Sequence, residues 1–81
     1  MKLYLLEQND NNNYETYDRC IVCAENSEDA KTINPNGGLY SEPNGRNSEW
    51  ALSADNITCE EIGEANDNQV RGVVLASFNA A

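Results

Sequence analysis

Apolar side chains recur in this chain mostly at strand spacing, and only one short segment reads as helix. Residues 2–7, Lys-Leu-Tyr-Leu-Leu-Glu, send Leu3 and Leu5 to one side and Tyr4 and Leu6 to the other. Both sides are apolar, which predicts an interior strand. Residues 19–25, Arg-Cys-Ile-Val-Cys-Ala-Glu, predict a second strand. Residues 56–62 predict a third: Ile57 and Cys59 alternate, but Ile62 falls out of phase. A bulge or the strand end is therefore expected near Glu60-Glu61. Residues 70–78, Val-Arg-Gly-Val-Val-Leu-Ala-Ser-Phe, are almost continuously apolar and predict a central strand.

The helix is expected over about 27–34. Asn26 or Ser27 is a good N-cap, and Glu28 and Asp29 meet the positive end of the helix dipole. Ala30 and Ile33 share a narrow apolar face, and Pro35 with Asn36-Gly37-Gly38 ends the segment. Residues 8–18 read as a polar loop that Tyr14 and Tyr17 pin to the sheet. Residues 35–56 read as a long irregular loop, punctuated by Pro35, Pro43 and Gly45 and anchored by Leu39, Tyr40, Trp50 and Leu52. Gly63 to Asn68 reads as a loop or a single helical turn. The fold class is α+β: a three- to four-stranded, mostly antiparallel sheet with one short helix packed on one face. The strand order is left open by the sequence.

With 81 residues, the chain is expected to be a single domain over 1–81. Its core draws on Leu3, Leu5, Leu6, Ile21, Val22, Ile33, Ile57, Ile62, Val70, Val73, Val74, Leu75 and Phe78, with Tyr4 and Trp50 as large members. A chain this short has little stability to spare for a strained active site, which argues against an enzyme. Fourteen acidic residues against five basic ones give a net charge of −9. Direct binding to nucleic acid or an anionic membrane is disfavoured, because phosphates need clustered Lys and Arg. A basic protein partner is compatible with this charge, as is a simple gain in solubility. The apolar run after Lys2 ends at Glu7, too short for a signal-peptide core or a membrane span. Three cysteines cannot all pair within the chain, and a reducing cytoplasm is the simplest compartment.

Candidate chemistry is sparse. There is no histidine, so Ser–His and Cys–His nucleophile pairs are excluded. Cys20-Ile-Val-Cys23 matches the C-x-x-C spacing, but within a strand the two thiols face opposite ways and cannot chelate together. They are expected to be buried structural thiols, with no metal and no cofactor. Asn66-Asp67-Asn68 lacks the alternating ligands of a calcium loop, and Gly37-Gly38 and Gly45 lack the lysine of a phosphate loop. The clearest functional signal is charge distribution. From Asn47 to Val70 there are six acidic residues, Glu49, Asp55, Glu60, Glu61, Glu64 and Asp67, and no Lys or Arg. A solvated acidic edge is the plain reading, and a surface that steers a basic partner is the functional one. Trp50 and Tyr40 are the aromatic candidates for contact anchors.

The segments MKLYLLEQNDNNNYETYD, IVCAENSEDAKTINPNG, the lone Trp50, IGEA and RGVVLASFNA resemble a family of short uncharacterised bacteriophage and prophage proteins. The resemblance covers most of the chain and is weakest at 38–49. It implies an accessory protein of a mobile element, working in the cytoplasm of a bacterial host. By class, small acidic phage proteins are often inhibitors of host defence, anti-CRISPR or anti-restriction. The expected function is therefore non-enzymatic: occupation of a basic surface on a host protein, such as a nucleic-acid-binding defence complex. The alternatives are a structural or assembly accessory of the phage acting by self-association or edge-strand pairing, and a minimal ligand binder built around Trp50, Tyr14 and Tyr17.

Overall fold

A computed structural model of the chain describes residues 1–11, 15–40 and 49–79. It is α+β: a four-stranded antiparallel sheet with one short helix. The strands are β1 (Lys2–Glu7), β2 (Thr16–Ala24), β3 (Thr58–Glu64) and β4 (Gly72–Asn79), in the order β3-β1-β2-β4. β1 and β2 form the central hairpin, with Glu7 opposite Arg19 and Lys2 opposite Ala24. β1 is thus an interior strand. β3 and β4 follow one another in sequence yet lie at opposite edges. The connection between them crosses the end of the sheet, where the Ala65 amide donates to the Met1 carbonyl. Gly72, at φ +139°, starts β4 in a conformation that side chains with a Cβ rarely adopt.

The core lies on one side of the sheet. Tyr4, Leu6, Cys20, Val22 and Ala24 point to it and pack against Ala30, Ile33, Trp50, Ala51 and Ile57. Each large aliphatic buried this way contributes about 1.5–3 kcal/mol. Trp50 is the largest fully buried side chain. The segment that reads as irregular therefore supplies the centre of the core. Polar groups hold it there. Asn11 Nδ2 donates to the Trp50 carbonyl at 2.9 Å, and Gln8, itself buried, exchanges two hydrogen bonds with the backbone of Asn11. The Asp10 carboxylate accepts from the amides of Leu52 and Ser53 and from Asn56 Nδ2, at 2.9–3.1 Å.

Several expectations need correction. The helix α1 spans only Ser27–Ala30. Asn26 caps it, accepting from the Asp29 amide at 2.8 Å. It ends early because Thr32 and Ile33 tighten to i→i+3 bonds, and the Thr32 hydroxyl takes the Asp29 carbonyl at 2.6 Å. Ile33 then forms a β-bridge with Leu39 instead of continuing the helix. β2 begins at Thr16, inside the expected loop, and β3 runs on to Glu64 through a bulge at Ile62. The continuously apolar β4 is an edge strand and not a central one. Val70, Val74, Leu75, Phe78 and Ile62 are exposed and lie outside the core. Tyr14, Pro43 and Gly45 lie outside the described residues.

The second side of the sheet carries Leu3, Leu5, Ile21 and Leu75. Leu5, Ile21 and Leu75 share one row across three strands, and a polar row of Glu7, Arg19 and Ser77 lies beside it. Among the described residues no helix covers this side. Leu75 keeps 65% of its surface exposed.

Candidate functional site

The six predicted carboxylates do not form one face. Glu60, Glu61 and Glu64 stand exposed on β3, an edge strand, and Asp67 is exposed in the connection that follows. The ladder with β1 places Glu60 opposite Leu5, on the open side of the sheet. Glu61 lies opposite Tyr4 and Glu64 opposite Lys2, on the core side. Period two separates Glu60 from Glu61, and the extra residue at Ile62 returns Glu64 to the side of Glu61. The edge therefore shows negative charge in both directions. Asp55 is exposed on the 3-10 turn Ala54–Asn56 that leads into β3. Glu49 stands apart: its carbonyl accepts from the Tyr17 amide at 2.7 Å, beside β2.

The two aromatic candidates serve the fold. Trp50 is 1% exposed, so its ring is not displayed to a partner. Tyr40 is half-buried, packs against the core and donates its hydroxyl to the Ala51 carbonyl at 3.0 Å. Tyr17, expected as a loop anchor, lies within β2 and meets Phe78 edge-on with ring centroids 4.8 Å apart.

The cations near these carboxylates are few and engaged. Lys2 Nζ pairs with Glu61 at 3.3 Å, which raises the Lys2 pKa through that hydrogen bond and charge. Arg71 grips Asp29 through Nε and Nη2, at 2.7–3.1 Å, and also reaches Thr32. The Arg71 guanidinium holds the Asp29 carboxyl below its ordinary value. Arg19 lies 3.9 Å from Glu7 and 4.0 Å from Asp18. Beside it, a polar groove of about 440 Å³ runs between Glu7, Gln8, Asn9, Asn56 and Thr58.

Nucleophilic chemistry has little support in these groups. Burial pushes the Cys20 thiol up to about 12 and raises that of Cys59, against a smaller lowering by Lys31. Both stay protonated near neutral pH, and the thiolate is the reactive form. Cys20 shares its row with Leu6 and Cys23 with Leu3, so the two thiols point to opposite sides of the sheet. All three cysteines are free. Among the described residues no three His, Cys, Asp or Glu side chains gather as metal ligands, and no helix is long and apolar enough to cross a membrane.

Sequence reasoning found the acidic edge through its one-sided charge. It missed the exposed edge of β4, whose apolar composition reads as burial. No family model, curated protein or solved structure matches the chain. The resemblance to phage proteins thus rests on the quoted segments alone.

Proposed function

We propose that this chain is a non-enzymatic binding protein whose β3 edge meets a basic surface on another protein. The observation that carries this reading is the composition of that edge: three exposed carboxylates in seven residues, Asp67 just beyond, and Lys2 as the one cation paired to them among the described residues. Such an edge steers an approaching basic surface and selects its orientation. Its carboxylates also leave the strand poorly suited to pairing with another strand, so contact through side chains is favoured over sheet extension. The resemblance gives this function its specific form: a phage or prophage accessory that inhibits a host anti-phage complex by occupying a surface that otherwise carries nucleic acid.

The test is retention of basic proteins from a bacterial host lysate on the immobilised chain, beside the triple variant Glu60→Lys, Glu61→Lys, Glu64→Lys. Each exposed carboxylate alone is worth at most about fivefold in affinity, so the three are reversed together. Retention of a nucleic-acid-binding protein by wild type, its loss in the triple variant, and its decline with salt are the expected results. Equal retention by both chains at every salt concentration would refute the reading.

A further inference from the structure

We propose that the β4 edge is a self-association surface, and that two copies of this chain join antiparallel along it into one eight-stranded sheet. The two edges of the sheet are built differently. β3 has three carboxylates and a bulge at Ile62, the devices by which sheet edges avoid pairing. β4, Gly-Val-Val-Leu-Ala-Ser-Phe-Asn, has no charge and no proline. Among the described residues it pairs with β2 alone, which leaves its outer row of amides and carbonyls as a template for another strand. Its own bulge at Val74 precedes five strand residues, Leu75–Asn79, with no extra residue on β4 itself, the second irregularity of this ladder being at Asp18 on β2. Val74 is 44%, Leu75 65% and Phe78 44% exposed.

Charge identifies the occupant as a second copy. At −9, two chains repel unless they meet where charge is absent, and among the described strands β4 is the one without any. Pairing there places the two β3 edges seven strand spacings apart, about 34 Å. That exceeds the roughly 8 Å Debye length at physiological ionic strength several times over. A basic partner is drawn to β3 and has no reason to choose β4. The pairing is also self-limiting. Once β4 meets its copy, both remaining edges are guarded β3 strands, so a two-fold dimer closes and no filament grows. With the ladder centred on Ser77, the polar row of Glu7, Arg19 and Ser77 continues across the new seam into its symmetry mate.

This inference does not rest on the binding function of β3, and salt separates them. Salt screens repulsion between copies and tightens the dimer, whereas it weakens contact with a basic partner. The experiment is sedimentation of the full chain up to about 200 μM, a range that detects weak dimers, at low and high sodium chloride. The expected mass is twice 9.0 kDa, favoured by salt. Leu75→Lys should weaken the dimer several-fold, because it puts a lysine, the residue by which natural sheet edges block pairing, on the strand that must pair. Circular dichroism should stay unchanged, since Leu75 is mostly exposed; if it does change, Ser77→Lys on the same side carries the test. Hydrogen exchange of the Leu75–Asn79 amides should slow as protein concentration rises. A monomer throughout, or a dimer that neither lysine variant weakens, would overturn the proposal.

Discussion

Asp10 is the side chain whose removal most directly tests how this fold is held. Its carboxylate accepts three hydrogen bonds, from the Leu52 and Ser53 amides and from Asn56, and so ties the β1–β2 loop to the segment that carries Trp50. Partial burial pushes its pKa up, but the bonds from Asn56, Leu52 and Ser53 outweigh that and hold it below the ordinary 3.8. A bond to a charged acceptor is worth about 1.5–3 kcal/mol when shielded. Asp10 is only half-buried, and solvent replaces part of each bond, so Asp10→Asn should cost about 2 kcal/mol in total. For a domain of this size that lowers Tm by about 8–16 °C. The sign with pH follows from the depressed pKa. The stabilisation is complete above the unfolded value near 3.8 and is lost as pH falls through the lower folded value. Thermal melts of wild type and Asp10→Asn should therefore differ at pH 7 and draw together as pH falls below the unfolded value. Asp55→Asn, exposed on the 3-10 turn, serves as control and should shift stability by less than about 0.5 kcal/mol. Equal effects at Asp10 and Asp55, or a difference at Asp10 that does not shrink at low pH, would refute the reasoning.

Two further outcomes are expected. Trp50→Ala should cost about 3–5 kcal/mol, comparable to the whole stability of a small domain; far-ultraviolet and near-ultraviolet circular dichroism should both report loss of the native state, which a surface role for Trp50 would not produce. Native-state alkylation at pH 7.5 followed by mass mapping should label half-buried Cys59 first and leave Cys20, with its pKa raised to about 12 by burial, unmodified until urea is added.

The central hairpin was legible because the apolar residues at 2–7 and 19–25 occupy both sides of their strands, and the phase slip at Ile62 marked a real bulge. β4 was misplaced because an apolar run states what a strand can bury, not whether anything covers it. Its position depends on the crossing from β3, fixed by contacts distant in sequence such as Arg71 with Asp29 and Ala65 with Met1. Trp50 could be read as core or contact anchor for the same reason, since its burial is set by Asn11 and Asp10 some forty residues earlier. The helix was overextended because Thr32 and the Ile33 bridge to Leu39 compete with it, and neither has a local signature. At the acidic edge the charges were legible. Their separation onto two sides was not, because it depends on the register with β1.

The strand order also shapes how the chain reaches this state. Only the β1–β2 hairpin joins neighbours in sequence; each outer strand must return across most of the chain, Glu64 to reach Lys2 and Asn79 to reach Thr16. Such pairings spend loop-closure entropy before any ladder forms, which slows folding relative to local contacts. β3 and β4 flank the hairpin from opposite sides and share no bonds with each other, so neither needs the other in place to dock. The hairpin thus offers two separate edges, one for each outer strand, and the strand order imposes no sequence in which they must dock.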